Sequence, residues 1–177
     1  VSGPLHRADI EAGLREVADQ LQRDGGAQVS IIVVGGSFMA LHGLRDSTAD
    51  VDSVSQLDDR LLAAVRRVAV QRGWPEQWLN DRARPWRTAG LQIPNCLLVL
   101  DHPALAVYTP GYDVMFLMKL NAARGPQDYA DARALWPHTD FADAEAVVRA
   151  FYDAYPNERP DPDLTDFVRT FQAPRPP

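Results

Sequence analysis

The sequence predicts an α+β protein: a mixed sheet with flanking helices over residues 1–110, a helical part over 111–172, and a short tail, 173–177. Three observations carry this. Val29 to Val34 is a near-continuous β-branched run, the pattern of a buried strand. Thr48 to Ser55 alternates, with Ala49, Val51 and Ser53 on one face and Asp50, Asp52 and Val54 on the other. From Tyr112 onward the pattern turns helical.

Taken in order, residues 7–23 read as an amphipathic helix, because Ile10, Leu14, Val17 and Leu21 recur on one face, and Gly25-Gly26 ends it. The strand Val29–Val34 breaks at Gly35-Gly36. Ser37 can cap a short helix carrying Phe38 to Leu41, closed by Gly43. Leu57 to Gly73 is a second amphipathic helix, with Leu61, Val65 and Val68 on its apolar face. Trp74 to Gly90, broken by Pro75 and Pro85, reads as irregular. Cys96–Leu100 reads as another buried strand and Leu105–Tyr108 as a further short one. Four helices follow: Tyr112–Ala123, Gln127–Trp136, Asp140–Tyr155 and Leu164–Phe171. The proline-rich end reads as frayed.

Composition bounds the function. A net charge of −6 argues against a broadly basic nucleic-acid coat. A single cysteine, Cys96, permits no internal disulfide and fits a reducing compartment, so a cytoplasmic protein is expected. No apolar run approaches the length of a membrane span, and no secretory signal is read. Of the 18 basic residues one alone is lysine, Lys119. In a chain that uses arginine elsewhere, a retained ammonium marks a position of interest.

The chemistry concentrates in residues 35–52. Two aspartates at i and i+2 on a strand point the same way and can share divalent cations, which in nucleotidyl transfer neutralise a triphosphate and activate a hydroxyl. Oxygen donors of this type suit Mg²⁺ or Mn²⁺. A Gly-Gly-Ser turn offers phosphates backbone N–H groups, a hydroxyl and a helix start, with no Cβ in the way. Each part alone is common: Asp-x-Asp is usually a solvated strand edge and Gly-Gly-Ser a plain turn. Their combination, with Arg45 and Thr48 between them, is more specific.

The segment Val33-Val34-Gly35-Gly36-Ser37 through Arg45-Asp46-Ser47-Thr48-Ala49-Asp50-Val51-Asp52 resembles the first motif of polymerase-β-like nucleotidyltransferases, closest to the AbiEii and MenT-type bacterial toxins. Met118-Lys119-Leu120-Asn121-Ala122-Ala123-Arg124, with Asp128 and Asp131, resembles their helical motif. The resemblance covers roughly residues 29–135. It implies a nucleotidyltransferase-like core over 1–110 and a helical region, 111–172, completing the active site. It further implies catalytic Asp50, Asp52, Lys119 and Asp128; nucleotide contacts from Gly36, Ser37, Arg45 and Lys119; and Mg²⁺ or Mn²⁺ on Asp50 and Asp52. The substrate is then an NTP, the acceptor the 3′ end of tRNA, and a cognate antitoxin is expected. Where the family often has Arg before the helical acid, this chain has Gln127, with Arg124 as the substitute. For a third carboxylate the candidates are Asp101, at the end of a strand, and Asp81, in Trp78-Leu79-Asn80-Asp81. Asp131 reads as helix support through its charge near an N-terminus.

Two patterns remain. Seven arginines lie between Arg60 and Arg87, some around Trp86, a mixture suited to RNA backbone and base contacts but equally to a solvated face. The four histidines are scattered, and His42 reads as helix surface or packing. Competing functions are nucleotidylation of an aminoglycoside-like small molecule or a protein, and a non-catalytic binding module with the same fold.

Overall fold

Helix α1 (Arg7–Asp24) follows strand β1 (Leu5–His6) and buries Ile10, Leu14, Val17 and Leu21, the residues its periodicity marks as apolar. In the computed structural model the described residues are 3–122 and 125–172. The chain is α+β, with a mixed five-stranded sheet and flanking helices, as its sequence predicts. Two compact units are present. One runs to Pro85 and takes in Ile93–Pro110; the other holds Trp86–Gln92 and continues from Gly111.

In the first unit, β2 (Val29–Val34) is central. Helix α2 (Gly35–Leu41) leaves its end directly. Strand β3 (Ser47–Thr48) pairs antiparallel with β1, apart from the main sheet. After a bend at residues 49–50 the chain forms β4 (Val51–Ser53), which pairs antiparallel with β2. The single strand expected over 48–55 is therefore two short ones on two sheets.

Helix α3 (Asp59–Arg72) starts at Asp58, whose carboxylate accepts a 2.7 Å bond from the Leu61 N–H, and ends at Gly73 in the left-handed conformation. Strand β5 (Leu79–Asn80) pairs parallel with β4, within the stretch expected to be irregular. Strands β6 (Leu97–His102) and β7 (Leu105–Thr109) form an antiparallel pair, and β7 lies parallel to β2. The order is β5-β4-β2-β7-β6.

One face of the sheet carries Ile31, Val33, Val51, Leu79, Leu105 and Val107, and joins α1 and α3 in the core. Trp78 is fully buried there and donates its indole N–H to the Val65 carbonyl. Arg72 forks onto Glu16 with bonds of 2.8 and 2.6 Å, tying α3 to α1; the bond from Arg72 holds the Glu16 carboxyl below the usual carboxylate range. Strand β6 departs from the expected buried strand. It is one of the sheet's two edge strands, and Leu97, Leu98 and Val99 are exposed. Apolar composition reads as burial, whereas a position at the sheet's edge decides otherwise.

The second unit contains α4 (Tyr112–Ala122), α5 (Pro126–Leu135), α6 (Ala144–Ala154) and α7 (Leu164–Arg169). Phe116 on α4 meets Trp136, Phe141 and Phe171 at ring-centroid distances of 5.7–6.3 Å. Trp86–Gln92 is fixed by backbone and side chain together: Ala89 N–H bonds the Ala154 carbonyl, and the Tyr155 hydroxyl bonds the Trp86 carbonyl at 2.9 Å. Burial pushes that hydroxyl's pKa well up. The expected tail, 173–177, lies outside the described residues, as do Ala123 and Arg124. Among the described residues no helix is long and apolar enough to cross a membrane.

Candidate active site

The strand-to-helix junction at Gly35 brings the first motif together. Because Cβ atoms alternate along a strand, the face opposite the core carries Ile32 and Val34 on β2, Asp52 on β4 and Asn80 on β5. Val34 is the register partner of Asp52, and Asp52 of Asn80, so these three form a row across the strands. Asp50 precedes β4 and its Oδ2 accepts a 3.3 Å bond from the Asn80 amide. Asp50, in the bend before β4 and not on the strand as expected, reaches the patch of Asp52 through Asn80, and both acids are half-buried.

Gly35 has φ +67°, a conformation that an L side chain rarely adopts, and a Cβ there would meet Asp52 Oδ2 at 3.3 Å. The Asp52 carboxylate thus lies over bare backbone at the start of α2. A Cβ on Gly36 would collide with Thr48 Oγ1 and meet Thr48 Cβ at 3.1 Å and Arg45 Nη1 at 3.4 Å. The loop bearing Arg45 and Thr48 closes onto Gly36 because no side chain stands between them. Gly36→Ala is expected to lower the unfolding free energy by about 1–3 kcal/mol through overpacking, read by urea denaturation.

Ser37 differs from expectation. It is the third residue of α2, not its cap, and is fully buried; its hydroxyl donates to the Val34 carbonyl at 2.7 Å. It secures the strand-to-helix turn, and its hydroxyl is engaged there rather than offered to a phosphate. A shallow cavity of about 440 Å³ beside this turn is lined by Arg45, Ser47, Thr48 and Ala49 with Gly3, Pro4 and Pro75.

Neither candidate for a third carboxylate joins the pair. Asp101 lies on β6, three strands from β4, roughly 14 Å across the sheet. Asp81 follows Asn80 and accepts from the Leu57 N–H while pairing with Arg84. Among the described residues no group of three or more His, Cys, Asp or Glu side chains is placed to hold a metal. The residue that does face the pair is Asn80, buried and missed from the sequence because only acids were sought. The one signal for it was its place in the tetrapeptide Trp78-Leu79-Asn80-Asp81. The Asp52 carboxylate over the Gly35 backbone and the Asp50 carboxylate against Asn80 are oxygen donors of the kind that fits a divalent cation such as Mg²⁺.

The second motif assembles within the helical unit. Lys119 on α4 is buried, and its Nζ lies 2.6 Å from Asp131 Oδ2 and 3.2 Å from Asp128 Oδ1, both on α5. Asp131 is 2% exposed, so it is not surface support for a helix N-terminus. It is the nearer and more deeply buried partner of the chain's sole lysine. Gln127, where an arginine was expected, donates to Asp131 Oδ1 at 2.9 Å. Arg124, the suggested substitute, lies outside the described residues.

The arginine cluster resolves into internal ties. Arg60 bonds the Gly25 and Ala27 carbonyls, Arg66 pairs with Glu76, Arg67 with Asp24, and Arg72 with Glu16. Arg82 bonds Gln77, Arg84 pairs with Asp81, and Arg87 bonds the Leu91 carbonyl. Trp86 and Arg87 also fall in a different unit from Arg82 and Arg84.

His42 packs, one of the two readings expected of it. It stacks on Phe38 at 4.2 Å and its Nε2 lies 3.0 Å from Thr109 Oγ1. Burial, aided by Arg7, holds its pKa below the ordinary 6.5. The unfolded chain takes up a proton near pH 6.5 that the folded chain resists, so stability present above that pH is lost as the pH falls through it. His42→Gln is expected to flatten this part of a stability-versus-pH curve; an unchanged curve would contradict the assignment.

Comparison with protein-family models, with curated proteins and with solved structures finds no match.

Proposed function

We propose that this chain is a metal-dependent nucleotidyltransferase, moving a nucleoside monophosphate from an NTP to an acceptor hydroxyl with release of pyrophosphate. The observation that supports the reading most is the placement of Asp52 over the Gly35 backbone, with Asp50 brought to the same patch through Asn80 and Arg45 beside Gly36. Asp50 and Asp52 would hold Mg²⁺ or Mn²⁺, which when bound supplies charge neutralisation for a triphosphate and a more acidic hydroxyl.

The chain's own residues then have separable tasks. The Gly35-Gly36 backbone, with no Cβ of its own, lets the Asp52 carboxylate and the loop bearing Arg45 and Thr48 close over the start of α2. Arg45 offsets the charge of the triphosphate. The acceptor oxygen attacks the α-phosphorus, the bond from that phosphorus to the bridging oxygen breaks, and pyrophosphate carries away the electron pair. A carboxylate of the pair takes the hydroxyl proton. On the sequence resemblance alone, Lys119 neutralises phosphate charge, Asp128 is a further essential acid, and the acceptor is the 3′ end of tRNA. On the same ground the chain is a translation-blocking toxin with a cognate antitoxin.

The test is incubation with Mg²⁺, each labelled NTP, and total tRNA, free protein or aminoglycosides. Label in tRNA that disappears in Asp52→Asn supports the full reading. Label in protein or aminoglycoside keeps the transferase and replaces the acceptor. Label in no acceptor, with no NTP bound, overturns the enzyme.

A further inference from the structure

We propose that Asn80 keeps cation binding dependent on the nucleotide, by filling the third position of the acidic patch with an amide N–H. The inference rests on the transferase reading and concerns how its site is loaded.

Asn80 is the β5 register partner of Asp52 and points to the same face. Its amide has a defined orientation. The backbone N–H of Arg82 requires an acceptor, and Asn80 Oδ1 supplies it at 3.0 Å. The other end, Nδ2, is therefore the one directed at Asp50 Oδ2, at 3.3 Å, with the Val51 and Gln77 carbonyls at 3.5 Å. Three oxygens around Nδ2 agree with that assignment, since an oxygen placed there would face only other oxygens.

Two consequences follow for a cation. The amide turns a donor toward the patch, so Asn80 supplies it no lone pair. It also occupies Asp50 Oδ2, leaving that carboxylate's other oxygen for a ligand. Among the described residues no third acid joins the group, which therefore contributes two carboxylates. A hard cation held by so few protein ligands completes its shell with substrate phosphates and water. The cation and the NTP then bind as one unit, and the empty protein does not retain the ion.

Asn80→Asp tests this because it is nearly isosteric. One carboxylate oxygen keeps the Arg82 bond, and the other replaces the donor with a third anionic ligand. Mn²⁺ titration of the full chain, followed by electron paramagnetic resonance, reads the result without turnover. The wild type should take up Mn²⁺ only when an α,β-methylene NTP analogue is present. N80D should take it up alone, about tenfold or more tighter than wild type alone, through the added ligand charge.

Tight Mn²⁺ binding by the wild type without nucleotide overturns the proposal. So does an N80D affinity equal to wild type in a folded variant, judged by circular dichroism. If N80D does not fold, the wild-type titration still decides. An analogue that brings no Mn²⁺ with it also overturns the proposal. If labelled transfer was observed, the Asn80 assignment alone then falls; if it was absent too, the transferase reading has failed.

Discussion

Asp52→Asn should reduce nucleotidyl transfer by about 10²-fold or more while leaving the protein folded. Position and chemistry both lead to this result. Asp52 is held on β4 by register contacts to Val34 and Asn80, which use backbone and do not depend on the side-chain charge. The amide has the same shape, so the strand, the Gly35 turn and the contact above it keep their geometry. A half-exposed polar exchange of this kind changes stability by about 1 kcal/mol at most. What is lost is one of two anionic oxygen donors at a patch where, among the described residues, no third acid stands to compensate. Paired measurement separates the outcomes: labelled transfer at saturating NTP for activity, and urea denaturation for stability. Full activity in a folded Asp52→Asn would remove Asp52 from the chemistry. Equal loss of stability and activity would make it structural.

The comparison with Gly36→Ala sharpens this. That substitution adds an atom where the Thr48 and Arg45 loop closes, so it acts first on folding. On the proposed reading the first motif contains residues with two tasks, donor chemistry at Asp50 and Asp52 and close approach at Gly35 and Gly36. Spacing in the sequence shows the motif but does not divide it in this way.

The elements legible in the sequence are those whose periodicity is long enough to speak alone. Helix α1 and strand β2 match the expected ranges to within a residue, because four apolar positions at helical spacing and a six-residue β-branched run admit little else. Strands β1, β3 and β5 have two residues each and exist by pairing, so no local pattern announces them. That is also why Asn80 went unnoticed: it becomes a neighbour of Asp52 only through the β4–β5 pairing. Asp101 failed as a site residue for the same reason in reverse. A strand end looks equally suitable at every place in a sheet, and the order β5-β4-β2-β7-β6 separates it from the acids. In the helical unit, spacing marked both Asp128 and Asp131 but read Asp131 as helix support; its burial against Lys119 depends on how α4 and α5 meet, which spacing does not show.

Lys119→Met should cost about 3–5 kcal/mol of stability, because it leaves the buried Asp131 carboxylate without its 2.6 Å partner. Asp131→Ala should cost somewhat less, because it leaves the ammonium the more distant and more exposed Asp128. Asp128→Asn should cost less, about 1 kcal/mol, since Asp128 is more exposed and more distant from Nζ. Denaturant midpoints of the three variants give this order directly; equal effects at 128 and 131 would contradict it. Loss of activity in Lys119→Met is by itself uninformative, as an unfolded protein transfers nothing. The double variant Lys119→Met/Asp131→Leu separates structure from function. Replacing both charges with apolar groups of similar volume removes the stranded ion, and such exchanges are often neutral or stabilising. A double variant that folds and transfers no label assigns Lys119 a task beyond holding α4 to α5. One that folds and remains active makes the sole lysine an element of packing, and the role implied by its motif would be withdrawn while Asp50 and Asp52 keep theirs.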